Sequence, residues 1–320
     1  TNESYCRDNR FETIGVAVDD GDECVWMEHE EFKYFTKQVD WSKCAVGAHH
    51  AQFDCFILSY HYDVHPGFIF DTLSMARAWH GTEVGGSLKK LMEHYEVGEK
   101  GDEVVRAMGK RRADFTQEEW LKYGDYSMND VRGAKEIFWK MIEAGFPEME
   151  LWAIDLTVKQ FTEPIFVLDE VLIKEALVEE REKKRSLLER IEKDKSIVLS
   201  NDKFAQLLMD LGEEPPTKIS PRTGKEAYAF AKTDPAMQAL LEHERDEVRW
   251  AAEARIAVKS TINETRADRF LDVSTRGPIP IYLKYAAAHT FRFGGGDKLN
   301  PQNLVRGGFL RRSLLAPMEN

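Results

Sequence analysis

The chain has 320 residues, of which 42% are hydrophobic and 31% are charged, and its formal net charge is −12. This composition excludes a disordered or collagen-like chain, and the length allows two or three domains of ~100–200 residues each. No run approaches the ~18 apolar residues of a membrane span and no signal peptide is visible, so we expect a soluble, cytoplasmic protein with no membrane partner. The four cysteines lie in the first fifth of the chain without CxxC spacing. This predicts reduced thiols and not a disulfide framework or zinc knuckle.

The charge is distributed unevenly along the chain. Residues 1–150 carry 17 basic and 29 acidic side chains, whereas residues 151–320 carry 27 of each. Within the second half, segment 276–312 has seven Lys and Arg residues against the single acid Asp297. An acidic protein does not coat DNA indiscriminately, but a local basic segment of this kind binds phosphate.

The first half alternates short apolar runs with helical patterns, which predicts an α/β domain. We expect strands at 11–18, 23–27, 44–48 and 68–70, a helix over the segment HHAQFDCFILSY, and helices that begin at Asp71-Thr72 and at Ser87. Thr116 and Glu119 form a capping box, so a long helix is predicted from about 117 to Gly145.

The pattern changes after Pro147 and becomes mainly helical. One charged helix is predicted over 170–195, and a second long helix from Asp234-Pro235 to about Thr265. The Pro- and Gly-containing segment 213–224 between them is expected to be a loop. Two long helices in this order predict an antiparallel pair.

Two carboxylates of the first half are candidates for metal binding. Asp54 follows a predicted buried strand at the start of a helix, and Asp130 lies four residues after Tyr126 on one face of the long helix. Two-metal phosphodiester chemistry needs carboxylates from separate elements to hold ions about 3.5–4 Å apart, and a nearby Tyr hydroxyl orients the attacking water. An Asp at a helix start is more often a simple N-cap, and a Tyr/Asp pair at this spacing is more often solvated, so the spacing leaves both interpretations open.

These residues lie in two motifs that resemble those of proofreading 3′→5′ exonucleases of the DEDDy type. The segment from His49 to Asp54 resembles the second motif, (N/H)-x-x-x-F-D, and Tyr126 to Asp130 resembles the third, Y-x-x-x-D. The resemblance implies a ribonuclease H-like α/β domain in which Asp54 and Asp130 bind Mg²⁺ or Mn²⁺, two ions in the intact site. It also implies that Tyr126 positions the water and that Phe53 packs near the terminal base of single-stranded DNA.

The first motif of that family, D-x-E, has no counterpart in the chain. The nearest segment, Arg10-Phe11-Glu12, has arginine in place of the aspartate. We therefore interpret residues 11–27 as the second and third strands of the sheet and expect the first strand upstream of Thr1. Two carboxylates do not readily offset two divalent cations, so we expect little or no exonuclease activity from this chain.

Four histidines in the same region present an alternative metal site. His49, His50, His61 and His65 lie close together in sequence, and imidazole is a common metal ligand. They show no HExxH or HxH spacing. Histidines held by protein partners are therefore the favoured interpretation.

The basic segment near the end combines an Arg, three glycines, a Lys and a Gln-Asn pair in the run TFRFGGGDKLNPQN. Glycines let a backbone approach phosphate closely, and Arg292 and Lys298 neutralise it. Gln302 and Asn303 are suited to hydrogen bonds with nucleotide edges or sugars. A mobile, Gly-rich surface turn is the simpler interpretation of the pattern alone.

This run resembles the signature T-G-R-x-S-S/G-x-D-x-N-x-Q-N at the start of the palm of family A (Pol I-like) DNA polymerases, especially those of phage type. Phe291 and Gly294 stand where the commoner form has Gly and Ser, and the run 305–317 continues as the family does. The resemblance implies contacts of Arg292, Lys298, Gln302 and Asn303 with primer–template DNA, and deoxynucleotides as partners of the intact enzyme. A processivity factor is not identified by the sequence.

The resemblances together predict three domains. These are an α/β ribonuclease H-like exonuclease domain over 1–147 that lacks its first strand, a linker and mainly α-helical thumb over 148–285, and the start of a polymerase palm over 286–320. The metal-binding palm aspartates are expected beyond residue 320, so nucleotide incorporation by this chain is not expected. Two alternatives remain: a stand-alone 3′→5′ exonuclease with an unrelated C-terminal module, and a non-catalytic DNA-binding or scaffold protein.

Overall fold

The computed structural model describes residues 1–98 and 109–316 and is mainly helical, with small two-stranded sheets. Compact unit 1 comprises residues 1–168, 273–304 and the chain from 314, whereas unit 2 comprises 169–272 and 305–313. These units are not coextensive with the predicted domains, because residues 273–304 fold with the first half of the chain. Residues 317–320 of the predicted palm start, including Pro317, lie outside the described residues.

Unit 1 begins with helix α1 and the strand pair β1–β2, followed by alternating helices and strands. Its elements are α1 (Asn2–Cys6), β1 (Val16–Asp19), β2 (Cys24–Met27), α2 (His29–Thr36), β3 (Ala45–Ala48), α3 (Ala51–Tyr62), β4 (Phe68–Asp71), α4 (Thr72–His80), α5 (Leu88–Tyr95), α6 (Gln117–Glu143), α7 (Glu148–Thr162) and β5 (Val167–Leu168). Strands β1 and β2 are antiparallel, whereas β3 and β4 are parallel, with Ala45 opposite Phe68. Among the described strands these are separate pairs, so the local β-α-β pattern is present without one continuous sheet.

Helix α6 organises the core of unit 1. It packs against α5 and against β1, β2 and β3, while α7 covers α3 and β4. Fully buried Ile137 and Met141 of α6 meet Ile69 of β4 and Ile154 of α7 in one cluster. Burial of each such side chain stabilises the fold by about 1.5–3 kcal/mol before entropy is deducted. The core therefore fixes α3 and α6, the two helices that carry the candidate carboxylates.

The first predicted strand is shorter than expected. It begins at Val16, because the preceding residues contact side chains elsewhere in unit 1. The Phe11 ring stacks on His61, and the Ile14 carbonyl accepts a hydrogen bond from Trp120 Nε1. These contacts replace the ladder hydrogen bonds that a longer strand would make.

Unit 2 is a helical body with one hairpin. It contains α8 (Glu170–Arg190), α9 (Lys195–Leu199), α10 (Asn201–Asp210), β6 (Thr217–Ile219), β7 (Glu226–Tyr228), α11 (Pro235–Leu241), α12 (Asp246–Lys259), most of α13 (Ile262–Ser274), and α14 (Phe309–Arg312). Its core is formed by apolar side chains of α9 to α12, among them Val198, Phe204 and Met237.

The helix predicted over 170–195 ends earlier, at Arg190. Glu192 has a positive φ of 51°, which ends an α-helix, and Asp194 starts α9 by accepting a hydrogen bond from the Ser196 N–H. The sequence does not reveal this break, because the segments before and after it are similarly rich in charged residues.

Two further predictions for this region are wrong. The helix expected from Asp234 to about Thr265 is three helices, α11, α12 and the start of α13. The first break is held by Arg249, which donates to the His243 carbonyl, and the second by Lys184, which donates to the Ser260 carbonyl. The segment 213–224 is not wholly a loop, because β6 pairs with β7 in an antiparallel hairpin.

Residues 273–304 complete unit 1 with β8 (Leu283–Lys284), β9 (Gly294–Gly295) and a short 3₁₀ helix (Pro301–Asn303), and β10 (Leu314–Leu315) pairs with β5. Strands β8 and β9 are antiparallel, with Leu283 opposite Gly295. Part of the basic run is therefore paired with β8, and we call residues 283–299 the basic hairpin.

Candidate functional site

Asp71 fixes the start of helix α3. It ends β4 and is buried, and its Oδ1 accepts hydrogen bonds from the backbone N–H groups of His50 (2.8 Å) and Ala51 (3.1 Å). The same carboxylate caps α4 by accepting from the N–H groups of Leu73 and Ser74. One buried charge thus satisfies free donors at the starts of two helices. The sequence pattern identified Asp71 as the cap of α4 alone.

Asp54 lies on the first turn of α3, three residues after Ala51. Its side chain is accessible to solvent, although protein atoms surround the carboxyl group on most sides. Partial desolvation, followed by the nearby negative charge of Asp71, raises the pKa of Asp54 from 3.8 to about 7. A nearby cation would stabilise the ionised form of a carboxylate in this environment.

Phe53 is part of a row of rings beside Asp54. It lies 5.9 Å from Tyr5 and 6.5 Å from His50, both in stacked orientation. Tyr5 belongs to α1 and is exposed, so this row presents aromatic surface to solvent next to the carboxylate. Such surfaces stack nucleic-acid bases.

Tyr126 and Asp130 lie on α6, as predicted. Tyr126 is buried, with its ring stacked 6.0 Å from Tyr123. Burial, then Tyr5 and then the charge of Asp130 raise the pKa of Tyr123, so all three groups lie near one another. Because Tyr5 also contacts Phe53, α1 links the neighbourhoods of the two candidate carboxylates.

The described residues do not form a metal site by themselves. Residues 1–98 and 109–316 contain no group of three or more His, Cys, Asp or Glu side chains suited to a metal ion. Asp54 and Asp130 would supply at most two of the four carboxylates expected for a pair of divalent ions. Asp71 already accepts the hydrogen bonds that cap α3 and α4.

The four histidines are engaged by separate partners. His49 bonds Thr72 Oγ1 (2.9 Å) and the Gly86 carbonyl (3.0 Å). His50 Nε2 lies 3.0 Å from the Tyr282 hydroxyl, and His61 Nε2 lies 2.6 Å from the Cys6 carbonyl. His65 Nε2 lies 3.1 Å from Asp63 Oδ1. In the described chain they contact separate partners instead of converging on one point.

The predicted DNA-contacting residues are presented on the surface of unit 1. Arg292, Lys298, Gln302 and Asn303 are all exposed. Within the described residues, neither Arg292 nor Lys298 has an ion-pair partner, so both positive charges are available to an anion. The Asn300 side chain accepts from the Gln302 N–H (3.0 Å) and so starts the 3₁₀ helix that carries Gln302 and Asn303.

The three glycines of this run have packing roles that the sequence did not reveal. A Cβ on Gly295 would lie 2.0 Å from the Asn300 side chain, and one on Gly296 would lie 2.4 Å from the Tyr282 ring. A Cβ on Gly294 would meet that of Ala287 at 2.7 Å. The glycines therefore give room to neighbouring side chains, which accounts for them without a phosphate.

Tyr282 and Gln52 join this hairpin to α3. The Tyr282 hydroxyl contacts His50 Nε2, and Gln52 Nε2 donates to the Leu283 carbonyl (2.7 Å). The exposed cations and the Asp54 helix consequently belong to one packed region of unit 1. Both joining residues escaped sequence reasoning, because an isolated Tyr and Gln carry no motif.

No known protein-family profile matches the chain, and no curated protein sequence matches it. In residues 1–98 and 109–316, no helix combines the length and apolar character needed to cross a membrane.

Comparison with solved structures does find a match. The POL domain of Pol1 from M. smegmatis, in complex with DNA primer-template and dNTP, aligns over 94% of this chain with a TM-score of 0.61 and 17% sequence identity. The chain spans 51% of that structure's length. At this identity the likeness concerns the fold alone. The fold of this chain is thus similar to that of a DNA polymerase domain.

Proposed function

We propose that the chain is part of a DNA-directed DNA polymerase of family A, of phage type, with a 3′→5′ proofreading exonuclease, acting in DNA replication. The observation that carries the proposal is the polymerase-like fold together with two exposed cations, Arg292 and Lys298, that have no ion-pair partner in the part of the chain that the structure describes. Both lie on the basic hairpin, where the family signature occurs. In the whole enzyme this hairpin contacts primer–template DNA, with Gln302 and Asn303 beside it.

The exonuclease part of the proposal rests on Asp54, Asp130 and Tyr126. In the whole enzyme, Asp54 and Asp130 supply two ligands for Mg²⁺ or Mn²⁺, Tyr126 orients water, and Phe53 stacks on the terminal base of single-stranded DNA. Three observations support this part: the raised pKa of Asp54, the exposed ring row beside it, and the link through Tyr5 to the region of Asp130. Because two carboxylates do not hold two divalent ions, we expect no degradation of a primer by this chain. We also expect no extension, because the resemblance to family A polymerases implies palm aspartates beyond residue 320.

Duplex binding tests the polymerase part. Fluorescence anisotropy with a labelled primer–template, in EDTA, should show binding that weakens steeply with salt, since each neutralised phosphate contributes about −0.9 to the slope of log K against log[salt]. Arg292→Ala and Lys298→Ala should each weaken binding and reduce the slope by about 1. The matched controls are Lys33→Ala and Lys37→Ala, which remove exposed cations from α2 and from the residue that follows it. Equal effects of all four substitutions would contradict the proposed contact surface.

A non-catalytic DNA-binding protein is the second candidate, favoured by the lack of a complete metal site in the described residues. Isothermal titration with Mn²⁺ separates the two. Binding that is lost in both Asp54→Asn and Asp130→Asn supports the nuclease assignment, whereas duplex binding without any effect of these substitutions on Mn²⁺ favours the non-catalytic protein.

A further inference from the structure

Asp297 joins the basic hairpin to helix α1. Its Oδ1 accepts from the backbone N–H of Asn2 at 2.6 Å, and its Oδ2 accepts from that of Glu3 at 3.0 Å. Both donors lie at the start of α1, where backbone N–H groups have no partner within the helix. The only acid in segment 276–312 is thus turned toward α1 and its two backbone donors.

Helix α1 is itself held firmly. The buried carboxylate of Glu3 receives Nε and Nη2 of Arg276 at 2.8 and 3.0 Å, and Arg7 donates to the Pro278 carbonyl at 2.9 Å. At its other end, the Cys6 carbonyl contacts His61 of α3. The two N–H groups offered to Asp297 therefore have a fixed position in unit 1.

The backbone at Asp297 and Lys298 has a conformation that contacts with other elements must stabilise. Asp297 and Lys298 have positive φ values of 56° and 58°, so two consecutive non-glycine residues adopt the left-handed conformation. This conformation is unfavourable for side chains other than Gly, Asn and Asp, and it persists where surrounding contacts impose it. Lys298 directly follows the anchored carboxylate and is exposed without an ion-pair partner in the described residues.

We propose that Asp297 is a positioning residue for DNA binding: by capping α1, it holds the left-handed turn that points Lys298 at a backbone phosphate. The proposal rests on the proposed function, because it assumes that Lys298 contacts DNA. Asp297 itself does not touch the nucleic acid. Its carboxylate accepts the hydrogen bonds from α1 and so fixes the conformation of the turn, although it also places a negative charge near the DNA.

Substitution of Asp297 distinguishes a positioning role from a purely electrostatic one, because the two roles predict opposite changes in DNA affinity. If only charge mattered, Asp297→Ala and Asp297→Asn would both tighten primer–template binding by the 320-residue chain. If Asp297 positions Lys298, Asp297→Ala weakens binding about five-fold, the size of a lost helix cap. Asp297→Asn weakens it less, since Asn keeps one acceptor and tolerates the left-handed conformation.

The Lys298→Ala background supplies the second readout. There, Asp297→Ala should no longer weaken binding, because the residue through which it acts is absent. The salt slope should fall by about 1 in Asp297→Ala and in Lys298→Ala, without a further fall in the double variant. Urea unfolding checks that the variants are folded, and Asp125→Ala, an exposed carboxylate on α6, is the matched control.

Two results would overturn the proposal while leaving the proposed function intact. One is tighter duplex binding by both Asp297 variants in a chain whose binding still depends on Arg292 and Lys298. The other is equal weakening by Asp297→Ala with and without Lys298. Absence of duplex binding by the unmodified chain refutes the proposed function, and the positioning role with it.

Discussion

Replacement of Asp54 by Asn should stabilise the chain in the absence of metal. The effect should appear only at pH values where the carboxyl group of the unmodified chain is ionised. The folded-state pKa is about 7 against 3.8 for the free side chain. Because the folded value is raised, the carboxyl group's contribution to stability is fully present below pH 3.8. It is lost progressively as the pH rises from there through 7.

The magnitude follows from the size of the pKa change. A difference of about 3 pH units corresponds to about 4 kcal/mol if the group were fully shielded from solvent. Asp54 is exposed, however, so solvent screens much of this energy, and we expect Asp54→Asn to raise the free energy of unfolding by about 1–2 kcal/mol at pH 8.5. Asparagine keeps the shape of the side chain, so no cavity offsets the gain.

Urea unfolding at pH values from 5 to 8.5 measures this effect. The difference between Asp54→Asn and the unmodified chain should grow with pH and level off above 7. Asp125→Asn, which removes an exposed carboxylate from α6, is the matched control. A constant difference, or a loss of stability in Asp54→Asn at pH 8.5, would refute the assignment of Asp54 to a desolvated position beside Asp71.

Three further substitutions, with Gly47→Ala as a control, test the fold around the site by urea unfolding. Asp71→Ala leaves the donors of α3 and α4 without their acceptor and should cost roughly 2–4 kcal/mol, measured at pH 7. Gly296→Ala forces a Cβ into the Tyr282 ring and should cost about 1–3 kcal/mol, whereas Gly47→Ala, whose Cβ would meet Phe70 at an ordinary 3.9 Å, should change stability by less than about 1 kcal/mol. Thr116→Ala breaks the capping box of α6 and should cost about 1 kcal/mol, and an unchanged unfolding midpoint would contradict the capping geometry.

Elements whose ends are marked by capping side chains were predicted well from the sequence. Thr116 and Glu119 form the predicted reciprocal cap of α6, and Ser87 accepts a hydrogen bond from the Lys90 N–H at the start of α5. Helix α6 ends at Glu143, and Gly145 follows with a φ of 92°. These signals are local, so a single sequence contains them in full.

Breaks imposed by tertiary contacts were not predictable in this way. The interruption after Lys259 depends on Lys184, 76 positions away from Ser260 in sequence. The same holds at the candidate site, where Asp297 contacts residues separated from it by 294 and 295 positions. The residue types at the site were identified from motifs, but their partners were not.

The environment of Asp54 gives a physical reason to regard it as more than a helix-start residue. An N-cap aspartate accepts backbone hydrogen bonds that lower its pKa, as Asp194 does at the start of α9. Asp54 instead has a raised pKa, because partial desolvation, and after it the negative charge of the neighbouring Asp71, disfavour the ionised form of its carboxyl group. At neutral pH this second carboxylate destabilises the folded chain, because the pKa of Asp54 is higher in the folded than in the unfolded state. Such a cost is typical of positions whose charge serves a ligand, and for a carboxylate the ligand that reverses the cost is a cation.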